Sequence, residues 1–370
     1  MSIDVLIIGA GMIGAACADA LAAEGLAVTV IEREAIGSGA TAAGMGHLVV
    51  MDDNPAELAL TAYSLALWRQ LVGPDSELHE YRRCGTLWIA ADDEELAVAR
   101  EKQRTLREHG IACELLDAAS LYAQEPQLRP GLCGGLRVGA DAVVYPPKSA
   151  ALLLARAQSR GAKLRGGQVS AVIEGGVLLA DGSEIHADKV LVANGSASVH
   201  LLPELPIRPK KGHIVITDRY PGMINHQLVE LGYIKSAHAA DGDSVAFNLQ
   251  PRPTGQLLIG SSRQFDVTDK AVEPAILARM LAHAAGFVPA LTGLHALRCW
   301  TGLRAASSDG LPLIGPHPSR PNVWLATGHE GLGITTSLAT AQLLSAQIAD
   351  RQTEIPVAPY LPARFKQLGK

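Results

Sequence analysis

The feature that most restricts this chain stands at its start. The run Ile3 to Ile8 leads into Gly9, Gly11 and Gly14 in G-x-G-x-x-G spacing, and a second apolar run, Ala27 to Ile31, is closed by Glu32. Strand, glycine turn, helix and second strand in that order predict a βαβ unit that holds a dinucleotide. Gly9 permits the tight turn out of the first strand, Gly11 lets backbone N–H groups approach a pyrophosphate, and Gly14 lets the helix pack closely on the sheet. The phosphates then face the positive end of that helix, with Met12 and Ile13 as further candidate cofactor contacts. Glu32 lies 23 positions after Gly9, where a carboxylate accepts both hydroxyls of an adenosine ribose. A 2'-phosphate would be repelled there.

The same stretch does not read as an export signal, because its first basic residue is Arg33, and Asp4, Asp19 and Glu24 interrupt it. No uninterrupted apolar run reaches the roughly eighteen residues that suggest a membrane span, so a soluble, cytoplasmic protein is expected. A chain of 370 residues exceeds one ordinary core, which predicts two domains. A net charge of -5 and an aromatic content of 4% argue against a nucleic-acid partner. The cysteines, Cys17, Cys84, Cys113, Cys133 and Cys299, include no C-x-x-C pair and no four-cysteine iron–sulfur spacing. They are expected to be reduced thiols, and any iron–sulfur cluster would belong to another chain.

Gly37 to Gly46 reads as an irregular loop, too rich in glycine for a helix, lying against a ligand. Helical spacing over 55–72 and 93–109 predicts two amphipathic helices, Gly85 to Ala90 a strand, and Lys148 to Ser159 a helix after a Pro146-Pro147 stop. Gln168 to Ile173, Gly176 to Leu179 across an Asp181-Gly182 turn, and Ala187 to Ala193 read as a hairpin and a buried strand. Strands at 212–217, 228–236, 243–250 and 256–262 predict an antiparallel sheet, with a helix over 274–286 after it. The last part returns to βα character: strand Val323 to Ala326, glycine turn Gly328 to Gly333, helix Thr335 to Ala349. The expected fold class is α/β, α+β overall. A Rossmann-like nucleotide domain of residues 1–80, 143–207 and 300–370 is interleaved with a mainly antiparallel substrate domain of 81–142 and 208–299. Substrate would bind between the two.

Five segments occur in order: G-A-G-M-I-G from Gly9, A-T-A-A-G-M from Ala40, V-L-V-A-N-G from Val190, G-L-R-x-x-x-x-D-G-L-P-L-I-G from Gly302, and G-H-E-G-L-G-I-T from Gly328. Together they resemble the D-amino acid oxidase superfamily of FAD enzymes, in its glycine oxidase and sarcosine oxidase branch, over essentially the whole chain. The resemblance implies FAD, bound by the first motif with Glu32 and Arg33. It makes Thr41, Ala43, Gly44 and Met45 the loop beside the isoalloxazine ring, and Val169 the residue whose main chain meets adenine. Ala193 and Gly195 belong to the same cofactor site, as does Gly302. Arg304 resembles the arginine that holds the substrate carboxylate, a task suited to a planar guanidinium, although Ala305 stands where the family usually has proline.

Gly328, His329, Gly331 and Leu332 precede the last helix, and the backbone of Gly333, Ile334 and Thr335 would face the flavin pyrimidine edge. Reduced flavin gains negative charge near that edge, which the helix dipole stabilises. His329 and Glu330 read as loop supports or as chemical groups, both readings remaining open. His47 is a candidate near the ring. Tyr233, Asn248 and Arg252 lie on the sheet expected to roof the site, with Tyr233 the candidate substrate contact.

Amino acid oxidation of this kind needs little acid–base machinery, so a carboxylate clamp that positions the substrate contributes most. Where sarcosine oxidases tether FAD through a cysteine this chain has Gly302, and Cys299 comes three residues early, which implies non-covalent FAD. The lysine that activates oxygen in those enzymes has no clear counterpart, Lys270 being the nearest downstream of Arg263 to Val267. A dehydrogenase is therefore expected. Arg208 to His213 and Gly328 to Thr335 resemble the flavin subunits of multi-subunit dehydrogenases: D-hydroxyproline dehydrogenase, opine oxidase and hydrogen cyanide synthase. In these, electrons leave through companion subunits carrying an iron–sulfur cluster, and whether a second flavin sits at a subunit interface stays open. The first reading is a D-hydroxyproline dehydrogenase flavin subunit acting on an amino or imino acid. The alternatives are a stand-alone glycine or sarcosine oxidase that makes hydrogen peroxide, and a flavin subunit that mainly relays electrons.

Overall fold

A computed structural model describes residues 2–73, 76–232 and 242–369. Strand Val5–Ile8 lies inside a six-stranded sheet, flanked by Val28–Glu32 and Lys163–Gly166 on one side and by Lys189–Val192, Val323–Thr327 and Leu313–Pro316 on the other. Every pair in it is parallel except the last. A parallel sheet of this kind is covered on both faces, and the alternation of side chains delivers that cover here. Val5 and Ile7 pack among the small residues of helix Met12–Ala23 with helices Pro146–Ser159 and Ser337–Ile348, while Leu6 and Ile8 pack on Val177 and Leu179 of a three-stranded sheet.

The second sheet has eight strands in the order Ala296–Ser307, Ile207–Arg219, Gln256–Phe265, Ser244–Pro251, Gln227–Glu230, Thr86–Ala90, Gly134–Val138 and Glu114–Asp117. It is antiparallel apart from Gln227–Glu230 against Thr86–Ala90. Helix Pro274–Phe287 covers one face, with Met280 in that core and Phe287 stacked on Phe247 at 4.5 Å between ring centroids. Capping explains two further helices: Asn54 Oδ1 accepts from the Glu57 amide at 2.9 Å to start Pro55–Val72, and Asp92 Oδ1 accepts from the Glu95 amide at 2.8 Å to start Asp93–Glu108.

Several expectations need correction. The loop Gly37 to Gly46 contains a one-turn helix, Ala40–Ala43, because alanine favours the helix and Gly39, at φ 65°, makes the bend that enters it. Pro146 and Pro147 begin a helix instead of stopping one, since the first turn needs no proline N–H. Glu184–His186 adds a third strand to the expected hairpin, and Lys163–Gly166 is a strand without any buried residue, so no apolar alternation marked it. Ala296–Ser307 runs antiparallel to Ile207–Arg219, and the expected domain limits at 207 and 300 fall inside these two strands. Of the strand expected at 228–236, the structure shows Gln227–Glu230. Tyr233 lies outside the described residues.

Candidate active site

A cavity of about 430 Å³ opens between the six-stranded and eight-stranded sheets. At one end stands the glycine turn. Gly9 has φ 104°, and a Cβ on it would come within 3.0 Å of the Ala193 carbonyl oxygen. A Cβ on Gly14 would collide with the Gly9 carbonyl oxygen, so helix Met12–Ala23 rests directly on the turn. Gly11 is different: its missing side chain would meet only the Thr41 hydroxyl, at 3.2 Å, and its backbone lines the cavity. Gly11 at the N-cap offers no side chain, and the Met12 amide donates instead to Thr41 Oγ1 at 2.9 Å. A helix N-terminus behind an open glycine fits a pyrophosphate. Glu32 ties the turn to its strand by accepting from the Ala10 amide at 2.6 Å and the Glu34 amide at 2.9 Å. Its neighbours on the cavity wall are Ile13, Arg33 and Val169, and on the far side Ala193 and Gly195. Asn194 Oδ1 is buried among them without a protein partner, the state of an acceptor awaiting a polar ligand.

Midway along the cavity two chain segments approach each other too closely for side chains. A Cβ on Gly44 would lie 2.8 Å from Ile334 Cδ1, and one on Gly302 would lie 2.5 Å from Ala43 Cβ. Indole N–H groups hold the backbone on both sides: Trp300 donates to the Ala43 carbonyl at 3.2 Å, and Trp68 to those of Ile334 and Thr335 at 3.2 and 3.1 Å. Met45 lines this stretch, as do Gly328, Gly331, Leu332 and Gly333. Thr335 does not reach the cavity wall. Its hydroxyl donates to the His47 carbonyl at 2.9 Å and accepts from the Val49 amide at 3.3 Å, so it braces the loop. Thr335 and Gly14 therefore support the wall from behind.

The other end carries charge. Arg304 faces the cavity from strand Ala296–Ser307 and donates through Nη1 to the Ser262 carbonyl at 3.1 Å. Burial lowers its pKa, and Glu330 opposes that shift. Glu330, in a left-handed conformation at φ 47°, is paired with Lys210 at 2.5 Å. Arg263 joins Arg304 on the wall, its pKa brought down to about 10 by burial, opposed by Glu330 and reinforced by Arg304. Two guanidinium groups in a partly desolvated cavity suit a carboxylate.

His47 also lines this end. Burial pushes its pKa down to about 4, with Asn248 opposing and Arg304 adding, so the ring is neutral at ordinary pH. Asn248 lies close enough to influence the ring, yet His47 Nε2 and Asn248 Oδ1 both remain buried without a completed protein hydrogen bond. His329 is likewise neutral, driven to about 3 by burial, and its Nε2 meets Thr340 Oγ1 at 3.0 Å. Arg252 is a support away from the cavity wall, donating to the Val144 carbonyl at 2.8 Å and to Glu80 at 2.9 Å. Lys270 is exposed, and exposed Cys299 is also off the wall.

Sequence reading missed Arg263, Glu57, Trp88 and Gln227, which all face the cavity. Strand alternation was the available signal. Register pairs Trp88 with Val229 and Val229 with Asn248, so three cavity residues form one row across the sheet. Glu57 hid as an ordinary acid in the first turn of a helix. Burial, reinforced by Asp53, raises its pKa to about 7, and its Oε1 has no protein partner.

Glycine-lined backbone with room for a nucleotide at one end and guanidinium groups suited to a carboxylate at the other fit an FAD-dependent enzyme of amino acid oxidation. The chain belongs to the FAD dependent oxidoreductase family DAO, which matches residues 4–347. It is 33% identical to glycine oxidase of Pseudomonas aeruginosa, over 98% of this chain and 99% of that one. An opine oxidase subunit of Rhizobium meliloti is 24% identical, covering 99% of this chain and 98% of the relative. Among solved structures, glycine oxidase from Geobacillus kaustophilus superposes with a TM-score of 0.86 at 27% identity, over 98% of both chains. Among the described residues no helix is long and apolar enough to cross a membrane.

Proposed function

We propose that this chain is the flavin subunit of a D-hydroxyproline dehydrogenase, which oxidises the Cα–N bond of a cyclic amino acid and passes the electrons to companion subunits. The observation that carries the amino acid part is Arg304, held by the Ser262 carbonyl and facing the same cavity as the glycine-lined cofactor wall. FAD, when bound non-covalently, would supply the acceptor for the hydride and the two electrons it carries. Arg304 binds and orients the carboxylate, and Arg263 adds positive potential. Neutral His47 and Asn248 offer unpaired polar atoms near the substrate without competing charge. Glu57 and Trp88 bring polar groups to the cavity wall, which suits a substrate bearing a hydroxyl.

Among the described residues, the dehydrogenase part is supported by where Lys210, Lys211 and Lys270 stand. Lys210 is neutralised on Glu330 and Lys211 on Asp269 and Glu273, and Lys270 is exposed. The likeness to the opine oxidase subunit, and to hydrogen cyanide synthase subunit HcnC of Pseudomonas aeruginosa at 27% identity, supports a multi-subunit assembly. An iron–sulfur cluster or a second flavin in that assembly would then complete the electron path.

The likeness to glycine oxidases favours a second reading, a stand-alone oxidase. Anaerobic mixing with D-hydroxyproline and with glycine separates the two. Fast bleaching by D-hydroxyproline, slow reoxidation in air and rapid turnover with a phenazine dye are expected. Fast bleaching by glycine, with hydrogen peroxide formed at the rate of flavin reduction, would replace the proposal with the oxidase. Failure of every amino acid to bleach the flavin would leave an electron relay.

A further inference from the structure

Four consecutive residues, Lys210, Lys211, Gly212 and His213, sit on strand Ile207–Arg219 directly beside the strand that carries Arg304, with Lys210 paired to Arg304 and Gly212 to Gly302 in register. Each of the four is committed to a different contact. Lys210 holds Glu330, the acid next to Arg304, at 2.5 Å. Lys211 has a fully buried side chain that bonds Asp269 at 3.0 Å and Glu273 at 2.9 Å. Gly212 lies under the guanidinium: a Cβ there would stand 2.6 Å from Arg304 Nη2 and 2.8 Å from Cζ. A side chain of any size would occupy the place that the arginine now fills.

His213 acts through Ser262. Its Nε2 accepts from the Glu273 amide at 3.0 Å, so that nitrogen is unprotonated and the ring proton of the neutral imidazole sits on Nδ1. Nδ1 then donates to Ser262 Oγ at 2.8 Å, and the His213 amide donates to the same oxygen at 2.9 Å. Both residues are wholly buried. The Ser262 carbonyl, on the residue so fixed, receives Arg304 Nη1. A line of bonds therefore runs from the Glu273 amide through His213 and Ser262 to the guanidinium.

We propose that Gly212 and His213 are positioning residues for the Arg304 carboxylate clamp, Gly212 by setting the plane in which the guanidinium lies and His213 by fixing, through Ser262, the carbonyl that receives it. The inference rests on the reading of Arg304 as the clamp, and goes beyond it in assigning the strand that aims the arginine. Lys210 and Lys211 frame the same arrangement from either side, one through Glu330 and the other through Glu273. A buried, fully bonded support of this kind keeps a ligand-binding side chain within the narrow geometry that a bidentate contact demands.

The test uses FAD-loaded protein and pyrrole-2-carboxylate, a flat carboxylate that cannot be oxidised in this way, titrated by its perturbation of the flavin spectrum. Gly212→Ala is expected to weaken its binding roughly tenfold or more, the loss of one well-formed charged contact, with FAD content unchanged. His213→Asn keeps a donor near the position of Nδ1, whereas His213→Gln keeps an acceptor near Nε2. Binding close to wild type in the Asn variant and weakened several-fold in the Gln variant is expected. Unchanged binding in Gly212→Ala, or equal binding in the two histidine variants, overturns the proposal. Arg304→Ala is the control: if it binds the probe as wild type does, the clamp reading has failed, not only its support. Should Gly212→Ala not fold, the two histidine variants decide.

Discussion

The two ends of the cavity are built by different means. At the end proposed for the nucleotide the backbone forms the surface: Gly9 and Gly11 line it, Gly14 lets the helix rest on the turn, and the helix N-terminus behind them suits a phosphate. At the end proposed for the substrate, Arg304, Arg263, His47 and Asn248 face the cavity as side chains, and strands from both amino- and carboxyl-terminal parts of the chain deliver them. Backbone recognition imposes a local spacing on the sequence. Side-chain recognition on a sheet imposes only alternation, which every half-buried strand shares.

The sharpest way to break this comparison is to place side chains on the glycines. Gly14→Ala drives a methyl group into the Gly9 carbonyl, which cannot yield without moving the turn, so a loss of roughly 3 kcal/mol or more in unfolding free energy is expected. Gly11→Val meets only the Thr41 hydroxyl within the protein, at 3.2 Å from its Cβ, but stands where a pyrophosphate would lie. It should fold, as judged by circular dichroism, and purify colourless. A Gly11 variant with a full flavin spectrum would show that the backbone there is not a ligand surface.

Removing a side chain at the other end should spare the cofactor and cost the substrate. Arg304→Ala is expected to lose roughly 2 to 5 kcal/mol of carboxylate binding and transition-state positioning, read in anaerobic flavin reduction as a lower rate and a weaker apparent affinity. Arg304→Lys should recover only part, because an ammonium cannot make the forked contact. Unchanged reduction kinetics in both variants would move the clamp elsewhere, with Arg263 the next residue to test.

What was legible in the sequence follows the same division. Gly9, Gly11, Gly14, the strand at Val28–Glu32 and the glycine turn before the last helix announce themselves by spacing. Arg304 was readable only through the family resemblance, since a lone arginine in a strand has many uses. Arg263, Trp88 and Gln227 were passed over, because Arg263 stands in the polar run Ser261 to Gln264, Gln227 follows His226, and Trp88 lies between Leu87 and Ile89, while alternation alone does not say which side of a strand faces a cavity. The helix at Ala40–Ala43 was hidden by glycines that flank it without entering it, and the one at Pro146 by reading a proline pair only as a stop. Strand Lys163–Gly166 buries nothing, so periodicity carried no information about it.

Two buried groups respond to pH with opposite sign. Asp141 is fully buried, accepts from the Val50 amide at 3.2 Å, and is raised by burial to about 7 against opposing help from Thr86 and Val50. A raised carboxyl binds more protons folded than unfolded between its ordinary value and about 7, so its contribution to stability falls as pH rises through that window. His47, lowered to about 4, has the opposite sign: its contribution is lost as pH falls below the ordinary histidine value. Asp141→Asn removes the first effect alone. Relative to wild type, the variant should gain on the order of 2 kcal/mol in unfolding free energy between pH 5.5 and 8.5, read by urea denaturation. An equal difference at both pH values would mean that Asp141 is ionised throughout.

The smallest effect is expected where a side chain serves the backbone end from a distance. Trp68 donates its indole N–H to the Ile334 and Thr335 carbonyls, orienting a turn whose Gly333 and Ile334 line the cavity. Trp68→Phe keeps most of the packing and removes that donor, so a loss of about 1 kcal/mol in stability is expected, with FAD affinity lowered only a few-fold by equilibrium dialysis. Neighbouring bonds explain why the turn should hold: the Thr335 hydroxyl still bridges His47 and Val49, and the Glu330 amide still donates to the Ala305 carbonyl at 2.8 Å. Complete loss of FAD in Trp68→Phe would show that this part of the cofactor wall depends on one buried side chain, and the contrast between a backbone end and a side-chain end would then stop at the glycine turn.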